Sequence, residues 1–74
     1  MSEEVFNRIH DYRVAHDLTQ DDLAKAVGVS RQSIISIERG RYTPSLALAL
    51  RFAHFFRCSM DELFQLKKED SHAK

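Results

Sequence analysis

The chain has few residues that break helices and almost none that cross-link chains. Its 74 residues include two glycines, one proline and one cysteine, and it lacks tryptophan. So few chain breakers favour helices joined by short turns over a strand-rich fold. A lone Cys58 cannot close an intrachain disulfide, which excludes a disulfide-stapled scaffold and predicts a reducing, cytoplasmic compartment.

Long apolar runs and an excess of charge are also missing. The longest apolar run, Leu46 to Leu50, is far shorter than a membrane span, and the acidic first ten residues lack the apolar core of a secretory signal. We therefore expect no membrane partner. Eleven basic residues balance eleven acidic ones, so the overall charge does not point to nucleic acid. Residues 30–42 nevertheless carry three arginines against Glu38 alone, which is a local positive excess.

Apolar residues recur at helical spacing in five segments. The predicted helices cover residues 4–15, 20–27, 31–39 and 45–56, and a short fifth helix that opens at Ser59 and carries Leu63 and Phe64. The inward stripe of the fourth helix is predicted to hold Leu46, Ala49, Leu50, Ala53 and Phe56. This pattern predicts an all-α fold, with one compact domain over residues 1–66 and a charged, disordered tail over residues 67–74.

Capping residues place the ends of the two middle helices. Thr19 is a good N-cap for the second helix, and Gly28 suits the left-handed position that ends it. Ser30 then caps the third helix, which Gly40 terminates. Only residues 28–30 connect the two helices, so the helices cannot lie antiparallel and must cross steeply. This is the geometry of a helix-turn-helix.

The third helix has one apolar side and one uncharged polar side. A rotation of about 100° per residue places Ile34, Ile37 and Glu38 on one side, and Gln32, Ser36 and Arg39 on the other. Arginine can donate twice to guanine, and glutamine can pair in a bidentate way with adenine. The polar side therefore suits the major groove of DNA. The alternative is an amphipathic surface helix whose polar residues face only water.

Four blocks of sequence carry a family resemblance. They are Leu18-Thr19-Gln20-Asp21-Asp22-Leu23-Ala24, Val27-Gly28-Val29-Ser30-Arg31-Gln32-Ser33-Ile34, Ile37-Glu38-Arg39-Gly40 and Pro44-Ser45-Leu46. Over about residues 8–64 the chain resembles the phage repressor and Cro family, whose bacterial branch is the XRE-type transcriptional regulators. The resemblance implies a λ-repressor-like domain of five helices, with helices two and three as the helix-turn-helix. It also implies a homodimer that binds double-stranded DNA.

The resemblance implies roles for individual residues. The positions that match base-reading residues of the family are Arg31, Gln32 and Ser36. The residues expected at the DNA backbone are Gln20, Ser30 and Ser33 from the family pattern, and Arg39, Arg41 and Tyr42 because they follow the recognition helix. Arg13 and Glu38 match an ion pair that ties the first helix to the third.

The C-terminal half carries more aromatic bulk than a core of this size needs. The family's fourth and fifth helices often form the dimer interface, so we expect Phe55, Phe64 and Leu66 to lie there. Half-sites would then be separated by about 34–36 Å, one helical turn of DNA. The alternative, in which these residues belong to the core together with Phe52 and Phe56, stays open.

Three positions depart from the family pattern. Arg57 stands where the family usually has the glycine that ends the fourth helix, so this turn is expected to be either strained or differently built. Ile35 is apolar beside the DNA-facing surface, where many relatives are polar. Phe55 is larger and more apolar than the residue common at its position.

Other chemistry finds little support in the sequence. His54 and Cys58 are four residues apart, but a zinc site needs three or four ligands and no other histidine has a matching spacing. We interpret Cys58 as a buried thiol and predict no metal site, no cofactor, no small-molecule ligand and no enzymatic activity. The alternatives to a repressor are an antitoxin, a controller protein of a restriction–modification system, or a protein-interaction module that has kept the fold without DNA binding.

Overall fold

A computed structural model of the protein describes residues 5–66, which form five helices and a two-stranded sheet. The elements along the chain are β1 (Val5–Asn7), α1 (Ile9–Ala15), α2 (Gln20–Val27), α3 (Arg31–Glu38), α4 (Leu46–Phe56), α5 (Met60–Leu63) and β2 (Phe64–Leu66). The predicted five helices and the helix-turn-helix of α2 and α3 are confirmed. The tail predicted over residues 67–74 lies outside the described residues.

The prediction of a strictly all-α fold is wrong because the structure contains two strands, which include Val5–Asn7 and Phe64, all predicted as helix. β1 pairs antiparallel with β2, so that Val5 lies opposite Leu66 and Asn7 lies opposite Phe64. Helix α1 therefore begins at Ile9 rather than at residue 4, and α5 ends before Phe64.

One local contact and one distant contact explain why α1 does not extend back into β1. The Asn7 side chain accepts a hydrogen bond from the Ile9 backbone N–H at 3.1 Å, which serves the exposed start of α1. The Arg8 N–H donates to the Leu63 carbonyl at 2.9 Å. The helical spacing of Val5 and Ile9 could not reveal this pairing, since it depends on residues more than fifty positions away.

The core lies where the five helices meet. Its buried apolar residues are Ile9, Leu23, Ala24, Val27, Ile34, Ile37, Leu48, Phe52, Ala53, Phe56 and Leu63. Both motif helices contribute fully buried side chains, including Leu23 and Ile34. Burial of a large aliphatic side chain stabilises a fold by about 1.5–3 kcal/mol, so this shared core holds α2 and α3 at a fixed angle.

The predicted inward stripe of α4 is partly wrong. Leu46 is 69% exposed and Leu50 is 51% exposed, whereas Leu48 and Phe52 are buried in their place. Most residues of α4 are apolar, but its two polar residues, Arg51 and His54, lie three positions apart on one side of the helix, and both are exposed. They mark the outside of α4, and the predicted stripe overlooked this signal. Within residues 5–66, no helix is long and apolar enough to cross a membrane.

Candidate nucleic-acid interface

Helices α2 and α3 begin at the predicted N-caps, and α2 ends at the predicted glycine. Thr19 Oγ1 accepts from the Asp22 N–H at 2.9 Å, and Asp22 in return accepts from the Thr19 N–H at 3.0 Å. Gly28 ends α2 with φ of 80°, in the left-handed region. Ser30 Oγ then accepts from the Ser33 N–H at 3.1 Å and begins α3. These bonds fix where α3 starts.

The predicted base-reading residues lie on the outer side of α3. Ile34 and Ile37 are fully buried on the inner side. Arg31 and Gln32 are exposed, and Ser36 is half-buried. Within residues 5–66 these three outer side chains have no hydrogen-bond partner, so their donors and acceptors remain available to a ligand.

The two serines predicted at the DNA backbone are engaged with each other. Ser30 Oγ and Ser33 Oγ lie 3.1 Å apart, in addition to the capping bond that Ser30 accepts. Both hydroxyls sit at the N-terminus of α3, where helix N–H groups favour an anion. Ser30 caps the helix, and the Ser33 hydroxyl is bonded to that capping oxygen.

The residues that follow α3 form a positive and exposed segment. Arg39, Arg41 and Tyr42 are exposed, with Gly40 between them at φ of 75°. Neither arginine forms an ion pair with another residue in the described part of the chain. This segment therefore presents uncompensated positive charge beside the outer side of α3.

Glu38 links α3 to α1. Arg13 Nε donates to Glu38 Oε2 at 2.7 Å, and Arg13 Nη2 donates to Glu38 Oε1 at 3.2 Å. The side chains of Arg13 and Glu38 are only 12% and 6% exposed. The predicted partners therefore form a bidentate pair, the stronger geometry for arginine and carboxylate.

Gln20 reaches the same carboxylate from α2. Its Nε2 donates to Glu38 Oε1 at 3.2 Å, so the residue predicted at a phosphate also braces the recognition helix. An amide nitrogen carries two hydrogens, and the second one remains for a phosphate. Burial raises the pKa of the Glu38 carboxyl, but hydrogen bonds from Arg13 and Gln20 outweigh this effect and hold the pKa below its usual value.

Two residues that the sequence did not indicate as part of the site support this arrangement. His10 Nδ1 lies 3.1 Å from Arg13 Nη2 and 3.5 Å from Glu38 Oε1. Asn7 Nδ2 donates to the Ile37 carbonyl at 2.8 Å, which ties β1 to the C-terminal turn of α3. The capping preference of asparagine is the sequence signal that could have placed Asn7 before a helix start.

The three residues predicted at a dimer interface differ in burial. Phe55 is 38% exposed and Leu66 is 57% exposed. Phe64 is half-buried and packs against the core, with its ring centroid 6.4 Å from that of Phe52. Phe52 itself is fully buried.

Cys58, which the sequence predicts as a buried thiol, is half-buried and packs against the core. Burial raises the pKa of its thiol, and the charge of Glu62 raises it further, so the thiol stays protonated at neutral pH. Residues 5–66 contain no group of three or more His, Cys, Asp or Glu side chains that could hold a metal ion.

Comparisons with known proteins point to one family. A helix-turn-helix family model matches residues 9–63. The chain is 53% identical over 58 residues to an uncharacterised HTH-type transcriptional regulator of Methanocaldococcus jannaschii, covering 78% of this chain and 88% of that protein. It is 32% identical over 57 residues to the cryptic phage CTXphi transcriptional repressor RstR of Vibrio cholerae, covering 77% of this chain and 51% of the repressor.

A solved structure shows the same fold. The restriction–modification controller protein C.AhdI from Aeromonas hydrophila superimposes with a TM-score of 0.68 at 30% identity. The match covers 73% of this chain and 82% of the controller protein.

Proposed function

The chain belongs to the helix-turn-helix family of DNA-binding transcriptional regulators, and from that premise we propose that it is a homodimeric repressor that reads operator DNA with α3. The DNA-binding domain would comprise residues 1–66 and act in the cytoplasm on double-stranded DNA. The proposal involves no catalytic step, cofactor, small-molecule ligand or membrane.

The outer side of α3 is the observation that carries the proposal. Arg31 and Gln32 are exposed at the start of a helix whose inner residues are fully buried. Because neither side chain is engaged within residues 5–66, Arg31 can donate to guanine O6 and N7, and Gln32 can pair with adenine. Ser36 follows on the same side and is the third base contact that we propose.

Contacts to phosphates would set the position of α3 in the groove. We assign them to Gln20, Ser30, Ser33, Arg39, Arg41 and Tyr42. Such contacts orient a protein on the duplex without reading its sequence. The positive segment after α3 and the N-terminal N–H groups of α3 both support this assignment.

A homodimer would bring two copies of α3 to one operator. We assign Phe55, Phe64 and Leu66 to the interface, and the exposed apolar surface of Phe55 and Leu66 supports this choice. Two-fold symmetry would place the half-sites about 34–36 Å apart.

The proposal is tested by fluorescence anisotropy with two labelled duplexes, one from upstream of the chain's own gene and one of scrambled sequence. We expect tighter binding to the upstream duplex, and affinity that falls steeply as the salt concentration rises. Equal affinity for both duplexes would contradict sequence-specific recognition. A folded dimer that binds neither duplex at low salt would favour the interaction-module alternative.

A controller protein of a restriction–modification system is the second candidate, and the similarity to C.AhdI favours it. Specific binding to DNA upstream of an adjacent methyltransferase or endonuclease gene would select this candidate. An antitoxin would instead bind the promoter that it shares with a toxin gene.

A further inference from the structure

Ile35 is an apolar residue on the part of α3 that faces away from the core. It is half-buried, yet it belongs neither to the core nor to the partly buried apolar residues that pack against the core. Its helix neighbours Ile34 and Ile37 are both fully buried. The position of the Ile35 side chain is therefore not explained by packing within residues 5–66.

Helical geometry places Ile35 within the proposed reading surface. At about 100° per residue, Ile35 lies roughly 60° from Gln32, whereas Arg31 lies roughly 100° from Gln32. Ile35 is thus closer than Arg31 to the direction in which Gln32 points. It also lies in one row with Arg31 and Arg39, one helical turn from each.

The flanking arginines indicate what covers Ile35. Arg31 and Arg39 have no ion-pair partner in the part of the chain that the structure describes, and both are exposed. An apolar side chain between two unpaired cations suits a polyanion that presents an apolar group. The major groove presents one such group, the C5-methyl of thymine, among base edges that otherwise carry donors and acceptors.

We propose that Ile35 determines specificity by contacting the C5-methyl group of a thymine in each half-site. This inference rests on the proposed function of α3 as the reading helix. Isoleucine has no hydrogen-bonding group, so placed against another base edge it would remove that edge's polar atoms from water without replacing their hydrogen bonds. Thymine is therefore preferred over the other three bases at this position.

Deoxyuridine provides the direct test, because it differs from thymidine only in lacking the methyl group. The probe is the duplex that the full chain enriches from a library of randomised sequence, with each thymine replaced in turn by deoxyuridine. We expect one thymine per half-site at which the replacement weakens binding about fourfold, the value for one buried methyl-sized group. Ile35→Ala should bind the thymine and deoxyuridine duplexes equally at that position.

Two further variants serve as controls. Val14→Ala removes an exposed aliphatic side chain from α1, where Val14 is 55% exposed, and should retain the wild-type response to deoxyuridine. Ile35→Val preserves a branched apolar surface and should retain part of the response. Circular dichroism melting verifies that each variant is folded. The wild-type response to deoxyuridine is measured without any substitution, so it does not depend on whether a variant folds.

The outcomes separate this inference from the proposed function. If no sequence is enriched from the library, the reading role of α3 fails, and the inference about Ile35 fails with it. If a sequence is enriched but wild-type binding is indifferent to deoxyuridine at every thymine, Ile35 reads no methyl group. The inference is also overturned if Ile35→Ala keeps the full wild-type response, since another residue then contacts that methyl.

Discussion

Glu38 is the residue on which the arrangement of the three N-terminal helices depends. Its carboxylate, on α3, accepts from Arg13 on α1 and from Gln20 on α2. Because the side chain is 6% exposed, its charge is stable only while these donors are present. A single carboxylate therefore fixes the recognition helix relative to both helices that precede it.

Replacement of Glu38 by alanine should destabilise the fold before it affects DNA contacts. Arg13 would lose its partner but keep the hydrogen bond from Nη1 to the Leu18 carbonyl at 2.9 Å. We therefore expect Glu38→Ala to lower the free energy of unfolding by about 3 kcal/mol, near the lower end for a broken buried pair. Urea denaturation measures this change. The control is Asp21→Ala, since the Asp21–Lys25 pair is exposed and should contribute about 0.5 kcal/mol or less. An unchanged curve for Glu38→Ala would refute the structural role.

The stability contributed by Glu38 should depend on pH. Its pKa is lower in the folded protein than the ordinary value of 4.5, so its stabilisation is fully present above that value and is lost as the pH falls through the folded pKa. We expect the difference in unfolding free energy between wild type and Glu38→Gln to shrink below about pH 4. Thermal melting across the acidic range measures this difference. A difference that stays constant with pH would show that Glu38 has the same pKa in the folded and unfolded states.

At the scale of elements, the end of α4 carries backbone strain. Arg57 has φ of 58° and ψ of 46°, the left-handed conformation that costs a non-glycine residue about 1 kcal/mol or more. Arg57→Gly should therefore raise the free energy of unfolding by about 0.5–1 kcal/mol, since glycine adopts this conformation freely but also loses more entropy on folding. Chemical denaturation measures this increase in the free energy of unfolding.

Gly28→Ala is the opposite control, because it places a non-glycine residue in the left-handed region. A Cβ at Gly28 would lie 3.8 Å from Arg51 Nη1, which is an ordinary contact. A loss of stability in Gly28→Ala would therefore come from its φ of 80°. If Arg57→Gly is less stable than wild type, the conformation of Arg57 does not strain the folded protein.

Strand β1 supports the recognition helix through Asn7. The side chain donates to the Ile37 carbonyl and accepts from the Ile9 N–H. We expect Asn7→Ala to lower the free energy of unfolding by about 1–2 kcal/mol, since both bonds are partly buried. Asn7→Asp separates the two bonds, because it keeps the acceptor for Ile9 but lacks the donor to Ile37. If Asn7→Asp is as stable as wild type in urea, the bond to α3 contributes nothing.

The elements that the sequence predicts well are those with local signals. α2 begins and ends where Thr19 and Gly28 place it, because a cap and a left-handed glycine act on adjacent residues. The strands could not be predicted in this way, since the pairing of Val5 with Leu66 has no local signature. The exposed side of α4 did have a local signal, since Arg51 and His54 lie about one turn apart on it, but the predicted stripe overlooked these two residues.

The candidate site can likewise be predicted where its signals are local, and not where it depends on contacts between distant residues. The outward position of Arg31 and Gln32 follows from helical periodicity and a serine cap, so the sequence could predict it. The bond from Gln20 to Glu38 joins residues 18 positions apart, and its geometry depends on how α2 crosses α3. Periodicity places Gln20 at a helix start but cannot show which carboxylate its amide meets.

At the scale of the whole molecule, zero net charge is compatible with DNA binding because the charges are unevenly distributed. Glu38 is neutralised by Arg13 inside the protein, which leaves Arg31, Arg39 and Arg41, along α3 and the segment after it, without an ion-pair partner among residues 5–66. Among the described acidic residues, Asp61 and Glu62 lie in the first turn of α5. Affinity for DNA should therefore depend on one surface and on salt rather than on overall charge.

The central claim is that α3 reads sequence while the segment after it binds phosphates. The most direct test measures, for Arg31→Ala and Arg41→Ala, the affinities for operator and scrambled duplexes over a series of salt concentrations. We predict that Arg31→Ala lowers the ratio of the two affinities by about 5- to 100-fold. Arg41→Ala should weaken binding to both duplexes equally and reduce the salt slope by about one per monomer. If Arg31→Ala leaves the ratio unchanged, or if Arg41→Ala alone lowers it, α3 is not the reading element.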